Sequence, residues 1–262
     1  MSEKTRIEWT QATWNPVTGC SHVSAGCEHC YAEALSLRFG WSALAWTKPN
    51  AKVNVVLHPD RLKQPLNWAR PRRVFANSMS DLFHEQVPFG FIDQVFEVML
   101  AADRHTYQVL TKRPERIREY VLSRSAAFGD RWPDGRVPAH IWLGVSIEED
   151  RWCERADLLR QTPGFVRFIS AEPLLGPLPS LDLYGIHWLI AGGESGPNFR
   201  PVDLSWIREL RDRCQVDGVA FFFKQVGGRT PKAGGRTLEG RTWDEFPQFG
   251  TDRQAALSGS RT

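Results

Sequence analysis

The chain has 262 residues, 42% of them hydrophobic, which is enough for one large α/β domain with a sizeable core. No run of about eighteen apolar residues could span a membrane, and the polar start at residues 1–10 does not resemble a signal peptide, so we expect a reducing, cytoplasmic compartment. A formal net charge of +3 excludes the strongly basic balance of a dedicated nucleic-acid-binding protein, but not a phosphate-bearing partner.

Short apolar, β-branched runs alternate along the chain with longer helical patterns. This order predicts a parallel sheet with right-handed crossovers. The predicted strands are 13–17, 53–57, 74–77, 107–110, 141–145, 166–169, 188–191 and 220–223. The predicted helices are 32–39, 61–68, 91–102, 114–123, 148–161 and 204–214. Eight strands would close a TIM-like (β/α) barrel, and a partial barrel of six or seven strands is the alternative.

We expect this barrel to be a single domain over residues 1–250, with a cysteine-rich loop at 20–30 and a polar tail at 251–262. A glycine-rich, basic loop at 227–240 is expected near the mouth of the barrel. Several of the eleven tryptophans have polar neighbours, among them Trp9, Trp14, Trp41 and Trp46. We interpret these side chains as aromatic residues of the core and of its surface cover.

Three of the five cysteines, Cys20, Cys27 and Cys30, lie in one short stretch that reads C-S-H-V-S-A-G-C-E-H-C. Thiolates are soft ligands for iron or zinc, and three in one loop can bind one metal centre. A four-iron cluster on three cysteines leaves one iron free for another ligand, whereas structural zinc takes four protein ligands, of which His22 or His29 could be the fourth. Both alternatives remain open at this point.

Polar residues follow the predicted strands at their carboxyl ends. In a barrel these ends form one face, which is where functional sites are built. Besides the cysteine loop, the clusters are residues 77–81 with Ser80 and Asp81, Lys112 with Arg113, Ser146 with Glu148, Ser170 with Glu172, residues 192–195, and Lys224 with Gln225. We therefore predict one site built from several strand ends.

The glycine pair Gly192 and Gly193 would let backbone amides approach a ligand closely, and Glu194 beyond it could bind an ammonium group. A ligand that contains an amino-acid moiety needs such a combination, with backbone amides close to the ligand and a carboxylate for its ammonium group. The alternative is a glycine turn that Glu194 and Ser195 cap.

Four cations follow predicted strands. Lys112, Arg113 and Arg200 are candidates for carboxylate or phosphate contacts, or are solvated surface charges. Lys224 follows an apolar run typical of a central strand, which places it at the end of the barrel interior. There it would either pair with Glu172 or Glu194 or contact the substrate. Lys112 and Lys224 are accordingly the candidate catalytic residues.

Eight motifs together resemble one family. They are W-N-P-V-T-G-C at 14–20, G-C-E-H-C-Y-A at 26–32, M-S-D-L-F at 79–83, L-T-K-R-P at 110–114, W-L-G-V-S at 142–146, A-E-P-L-L at 171–175, G-G-E-S-G-P at 192–197 and F-F-K-Q at 222–225. On these motifs the chain is similar, from Ile7 to Gly228, to the three-Cys-motif family of phage and bacterial proteins. That family is of unknown function and resembles radical S-adenosylmethionine (SAM) enzymes.

The resemblance implies a radical SAM-like fold and a [4Fe-4S] cluster on Cys20, Cys27 and Cys30. The cluster would bind SAM and, on reduction by a flavodoxin or ferredoxin type of electron donor, cleave it to a 5′-deoxyadenosyl radical. A nucleic-acid base is the leading substrate class. The expected SAM-binding residues are Gly192, Gly193, Glu194, Ser195, Ser170, Glu172, Ser80 and Asp81. The alternative function is a zinc-stapled barrel that binds nucleic acid or a phage or repair partner protein without radical catalysis.

Overall fold

Seven parallel strands form one curled, open sheet in the computed structural model, which describes residues 5–230 and 232–247. The strands are β1 Ala12–Trp14, β2 Val17–Thr18, β3 Val56–Leu57, β4 Arg73–Ala76, β5 Thr106–Thr111, β6 Ile141–Ser146, β7 Arg167–Ala171, β8 Trp188–Gly192 and β9 Ala220–Gln225. The large sheet has the order β1-β4-β5-β6-β7-β8-β9, and β2 and β3 form a separate antiparallel pair. This is a half-barrel, so the partial barrel is confirmed and closure by eight strands is wrong.

Six α-helices connect these strands in the described residues. They are α1 Tyr31–Arg38, α2 Ala51–Asn54, α3 Phe89–Ala101, α4 Pro114–Phe128, α5 Glu154–Arg160 and α6 Leu204–Asp217. Short 3₁₀ turns occur at Ala25–Cys27, Pro59–Arg61, Gln64–Asn67, Gly129–Arg131, Pro133–Gly135 and Asp150–Trp152. None of the described helices is both long and apolar enough to cross a membrane. The predicted tail at 251–262 lies outside the described residues.

Four of the predicted elements are wrong, divided or shorter than expected. The strand predicted at 13–17 is divided between β1, which ends at Trp14, and β2, which begins at Val17 in the other sheet. The strand predicted at 53–57 begins inside α2, and only its last two residues pair with β2, outside the parallel sheet. The helix predicted at 61–68 is interrupted by Pro65, which cannot donate a backbone hydrogen bond, and only 3₁₀ turns form there. Of the helix predicted at 148–161, only α5 is α-helical.

The inner face of the half-barrel is filled by aromatic rings toward the amino ends of the strands. Alternate strand residues point to this face, and their buried cluster is Trp9, Phe75, Trp142, Val166, Phe168, Trp188, Ile190 and Phe222. Gly144 leaves room for Phe168, since a Cβ at Gly144 would lie 2.4 Å from its ring. The apolar filling gives way to polar side chains at the carboxyl ends, where Ser146 pairs in register with Ser170.

Candidate functional site

The cysteine loop, residues 20–30, begins at a glycine that no other residue could replace without rearrangement. Gly19 has a φ of +82°, and a Cβ there would lie 1.8 Å from the backbone oxygen of Asn54. Its amide donates to the Met79 carbonyl at 3.0 Å. The start of the loop therefore lies in space next to the residues that follow β4. Along the chain, the loop ends where α1 begins, at Tyr31.

The three loop cysteines differ from the other two in their surroundings. Cys20, Cys27 and Cys30 are partly exposed free thiols, whereas Cys153 and Cys214 are buried. Burial and the charges of Asp81 and the other two loop thiols raise the pKa of Cys20 to about 12, although Arg113 acts to lower it. The three loop thiols are thus close enough to influence one another electrostatically.

Arg113 holds the first part of the loop. Its Nη1 lies 3.6 Å from Cys20 Sγ and 3.0 Å from Asp81 Oδ2. Its Nη2 donates to the Ser21 carbonyl at 3.3 Å and to Ser21 Oγ at 3.1 Å, and its Nε donates to Glu85 at 3.0 Å. The Arg113 and Asp81 side chains are only 7% and 8% exposed, so this is a buried ion pair.

Glu148 lies beneath the middle of the loop and is fully buried. A Cβ at Gly26 would lie 3.1 Å from its carboxyl carbon, and Ser24 Oγ donates to its Oε1. Arg155 Nη1 donates to its other oxygen at 3.0 Å, with Lys112 Nζ 3.8 Å away. Lys112, a predicted catalytic residue, therefore borders this carboxylate.

Glu194 holds the end of the loop. Its Oε2 lies 2.9 Å from His29 Nδ1 and accepts from the backbone amide and Nε of Arg200 at 2.8 and 3.0 Å. Arg200 also reaches the loop directly, at Glu28 Oε2 and the Ala25 carbonyl, both at 2.9 Å. Burial raises the pKa of Glu194, but the hydrogen bonds from Arg200 and His29 outweigh it and place the pKa below its ordinary value. The carboxylate is thus occupied by protein donors.

Replacing Glu194 by glutamine should loosen the cysteine loop. The change keeps the shape of the side chain but removes the charge that Arg200 and His29 bind, and each charge-assisted hydrogen bond contributes about 1.5–3 kcal/mol. We expect faster amide hydrogen exchange at residues 25–30 in Glu194→Gln, measured by mass spectrometry. The control is Glu239→Gln in the glycine-rich loop, whose half-exposed carboxylate pairs with Arg208 and Arg211. Equal exchange in both variants would contradict the role given to Glu194.

The glycine turn after β8 is packed against the end of β9. A Cβ at Gly193 would lie 2.0 Å from the Val226 carbonyl, and the Gly193 amide donates to the Gln225 carbonyl at 2.9 Å. Gln225 Nε2 in turn donates to Gly193 O at 3.0 Å and to Ser195 Oγ at 2.6 Å. The predicted close approach is therefore made by backbone of the neighbouring strand.

Lys224 and Glu172 form an ion pair at the carboxyl ends of β9 and β7. This is one of the two arrangements expected for Lys224. Their side chains are 18% and 17% exposed, compared with 8% for Asp81, 4% for Glu194 and 0% for Glu148. Of these four carboxylates, Glu172 is the most accessible to a ligand.

The other predicted residues have structural contacts. Ser80 Oγ donates to the Val17 carbonyl at 2.8 Å, and His22 Nε2 lies 2.6 Å from Glu33 Oε2. Among residues 5–230 and 232–247, no group of three or more His, Cys, Asp or Glu side chains is arranged to hold a single metal ion. In a four-iron cluster each cysteine binds a different iron, so its sulfurs need not converge on one point.

Two residues that hold the loop are missing from the sequence predictions. Arg155 donates to Glu148 at 3.0 Å and to the Ser146 carbonyl at 2.8 Å, and its side chain is 3% exposed. Glu33 accepts from the Trp46 amide at 2.7 Å as well as contacting His22. Each occurs in a stretch with an ordinary helical pattern, where a charged residue is normally solvated, so the sequence gives no signal for either.

The fold and the site define the class of protein: an α/β half-barrel with a three-cysteine loop across the carboxyl ends of its strands. The chain belongs to the family described as "Protein of unknown function (DUF5131)", which matches residues 4–247. No curated protein matches the chain.

Solved structures of spore photoproduct lyase are similar in fold. One, complexed with dinucleoside spore photoproduct, is 13% identical with a TM-score of 0.41, and the match covers 75% of this chain and 58% of that one. A cysteine-to-serine mutant of the same lyase is 13% identical with a TM-score of 0.44, covering 81% and 64%. The chain thus spans about three fifths of the length of these proteins.

Proposed function

We propose that this chain is a radical SAM-type enzyme in which Cys20, Cys27 and Cys30 hold a [4Fe-4S] cluster. The observation that carries the proposal is the placement of three partly exposed thiols on one loop across the mouth of a half-barrel. Arg113 Nη1 lies 3.6 Å from Cys20 Sγ, and its positive charge opposes the burial that raises the pKa of this thiol. Three thiolates match the ligand set of a cluster with one iron open to a further ligand.

When bound, such a cluster supplies the electron that cleaves SAM and starts radical chemistry. The chain's own residues fix the loop at its beginning, middle and end. Arg113, Glu148 and Glu194 each make one of these attachments. Fixed ligands keep the thiols in place while the aromatic floor of the half-barrel closes the opposite end to water.

The amino-acid part of SAM is proposed to bind at the Glu172–Lys224 pair. The Glu172 carboxylate would accept hydrogen bonds from the ammonium group of SAM, and Lys224 would donate to the carboxylate of SAM. Glu172 and Lys224 would then each exchange the other for a group of the cofactor. Glu194 is less suited, because Arg200 and His29 already occupy its oxygens. This replaces the expected role of Glu194 with a role in holding the loop.

The proposal is tested by anaerobic reconstitution of the full chain with iron and sulfide. We expect four iron and four sulfide per chain for a [4Fe-4S] cluster, a brown protein, and 5′-deoxyadenosine after reduction in the presence of SAM. Zinc as the bound metal, in a colourless protein that does not cleave SAM, would instead favour the zinc-stapled alternative. Flavodoxin or ferredoxin would then have no role as electron donor.

Glu172→Gln should weaken SAM binding without reducing the iron content. Loss of a charge-assisted hydrogen bond to a partly desolvated ammonium costs about 1.5–3 kcal/mol, which corresponds to roughly tenfold to hundredfold weaker affinity. Calorimetric titration of the reconstituted protein with SAM measures the effect, with Glu239→Gln as the matched control. Unchanged affinity in Glu172→Gln would rule out this site for the ammonium group.

We further propose a nucleic-acid base as the substrate. The adenosine of the cofactor and the resemblance to phage proteins support this class. The cations of the mouth are paired with carboxylates, as in Lys224 with Glu172 and Lys112 with Glu148, so we place the phosphate contacts elsewhere on the chain.

A further inference from the structure

Exposed apolar side chains are concentrated just after the cysteine loop. In the described part of the chain eleven large hydrophobic side chains are exposed, and seven of them lie between Tyr31 and Val56. We call the exposed side chains of residues 37–53 the α1–α2 surface. Exposed apolar patches are typical of interaction sites.

Two aromatic rings form the centre of the α1–α2 surface. Phe39 and Trp41 stack with their centroids 5.2 Å apart at an interplanar angle of 29°. The two residues are 55% and 64% exposed, and the Arg38 guanidinium lies 5.5 Å from the Phe39 centroid. Trp41 thus differs from Trp9, Trp14 and Trp46, which are buried as expected. An exposed ring stack beside a cation offers a face on which a planar base can stack.

The stretch of sequence that carries this stack is strongly basic. Residues 34–80 contain eight Lys and Arg but one acidic residue, Asp60, whereas the whole chain has 33 basic and 30 acidic residues. The remainder of the chain is therefore acidic. Arg38, Lys48 and Lys52 are exposed, and no Asp or Glu occurs between Glu33 and Asp60. This segment is where phosphates would be attracted.

The surface is attached directly to the cysteine loop. α1 begins immediately after Cys30, and the amide of His22 donates to the Trp46 carbonyl at 3.0 Å. The Asn54 side chain donates to the Ala45 carbonyl at 2.9 Å, which joins α2 to the same segment. A strand bound here would lie beside the mouth of the half-barrel.

We propose that the α1–α2 surface binds single-stranded nucleic acid. Bases stack on Phe39 and Trp41, and Arg38, Lys48 and Lys52 contact the phosphates. A single strand is required, because bases within a duplex are stacked on each other and do not present their faces to these rings. The assignment of the bound strand as substrate rests on the proposed function, whereas binding itself needs neither cluster nor SAM.

The test is fluorescence anisotropy of the full chain without cluster, titrated into labelled single-stranded DNA, single-stranded RNA and duplex DNA. The wild-type chain should prefer one of the single strands, and the two arms identify which. The variant Phe39→Ala/Trp41→Ala should bind that strand roughly tenfold or more weakly, whereas Trp41→Phe, which keeps a ring, should bind nearly as well as wild type. The slope of log affinity against log salt is negative, and Lys48→Ala/Lys52→Ala should reduce its magnitude by about 1.4.

The controls are Tyr184→Ala and Lys232→Ala. Tyr184 is an aromatic residue elsewhere on the chain that is 82% exposed, and Lys232 is an exposed lysine of the glycine-rich loop. Both variants should bind the strand as tightly as the wild type. Unchanged affinity in the Phe39/Trp41 double variant, or a preference for duplex, would overturn the proposal. The proposal would also be overturned if the wild-type chain sedimented as a dimer and the Phe39/Trp41 double variant as a monomer. A second copy of the chain would then cover the surface. A chain that binds the strand but loads no iron contradicts the proposed function alone, while normal SAM cleavage with unchanged strand affinity in the double variant contradicts this inference alone.

Discussion

Replacing any one of Cys20, Cys27 and Cys30 by alanine is expected to abolish the loading of a stable four-iron cluster. Each thiolate would be one of three protein anchors, and the loop has no other cysteine to substitute for it. The measurement is iron and acid-labile sulfide per chain after anaerobic reconstitution, together with visible absorbance. We expect near-background values in all three variants.

Cys153→Ala and Cys214→Ala are the matched controls for these variants. Both side chains are buried small hydrophobic groups outside the loop, with Cys153 in contact with Asp150 and Cys214 on the inner side of α6. Their removal should cost some stability through a small cavity while iron loading stays near the wild-type level. Equal loss of iron in all five single variants would contradict the assignment of the three ligands.

The sheet could be predicted from the sequence because its strands are short apolar runs that end in polar residues. The segment at 53–57 has the same composition, but a helical turn after Asn50 uses its first residues. Only Val56 and Leu57 form a strand, and they pair with β2. Residue type indicates whether a segment suits a strand, whereas tertiary contacts decide which other strand it pairs with.

The three candidate cysteines could also be singled out from the sequence, because they lie within one short loop. The residues that hold the loop could not, because their contacts join distant parts of the chain: Ser24 and Glu148 are 124 residues apart, and His29 and Glu194 are 165 apart. Glu194 shows the consequence. Its position after two glycines suggested a ligand-binding carboxylate, and the partners that occupy it, Arg200 and His29, follow from the fold alone.

Arg113→Met is expected to destabilise the chain by about 3–5 kcal/mol, because it leaves the buried carboxylate of Asp81 without its cationic partner. Urea unfolding of the cluster-free chain measures the change, with Arg208→Met as control. Arg208 pairs with Glu239 at 3.2 Å, but both side chains are more than 40% exposed, so its loss should cost less than about 1 kcal/mol. Adding Asp81→Asn to Arg113→Met removes the uncompensated charge and should recover part of the loss. Equal destabilisation by Arg113→Met and Arg208→Met would show that the buried pair contributes no more to stability than an exposed one.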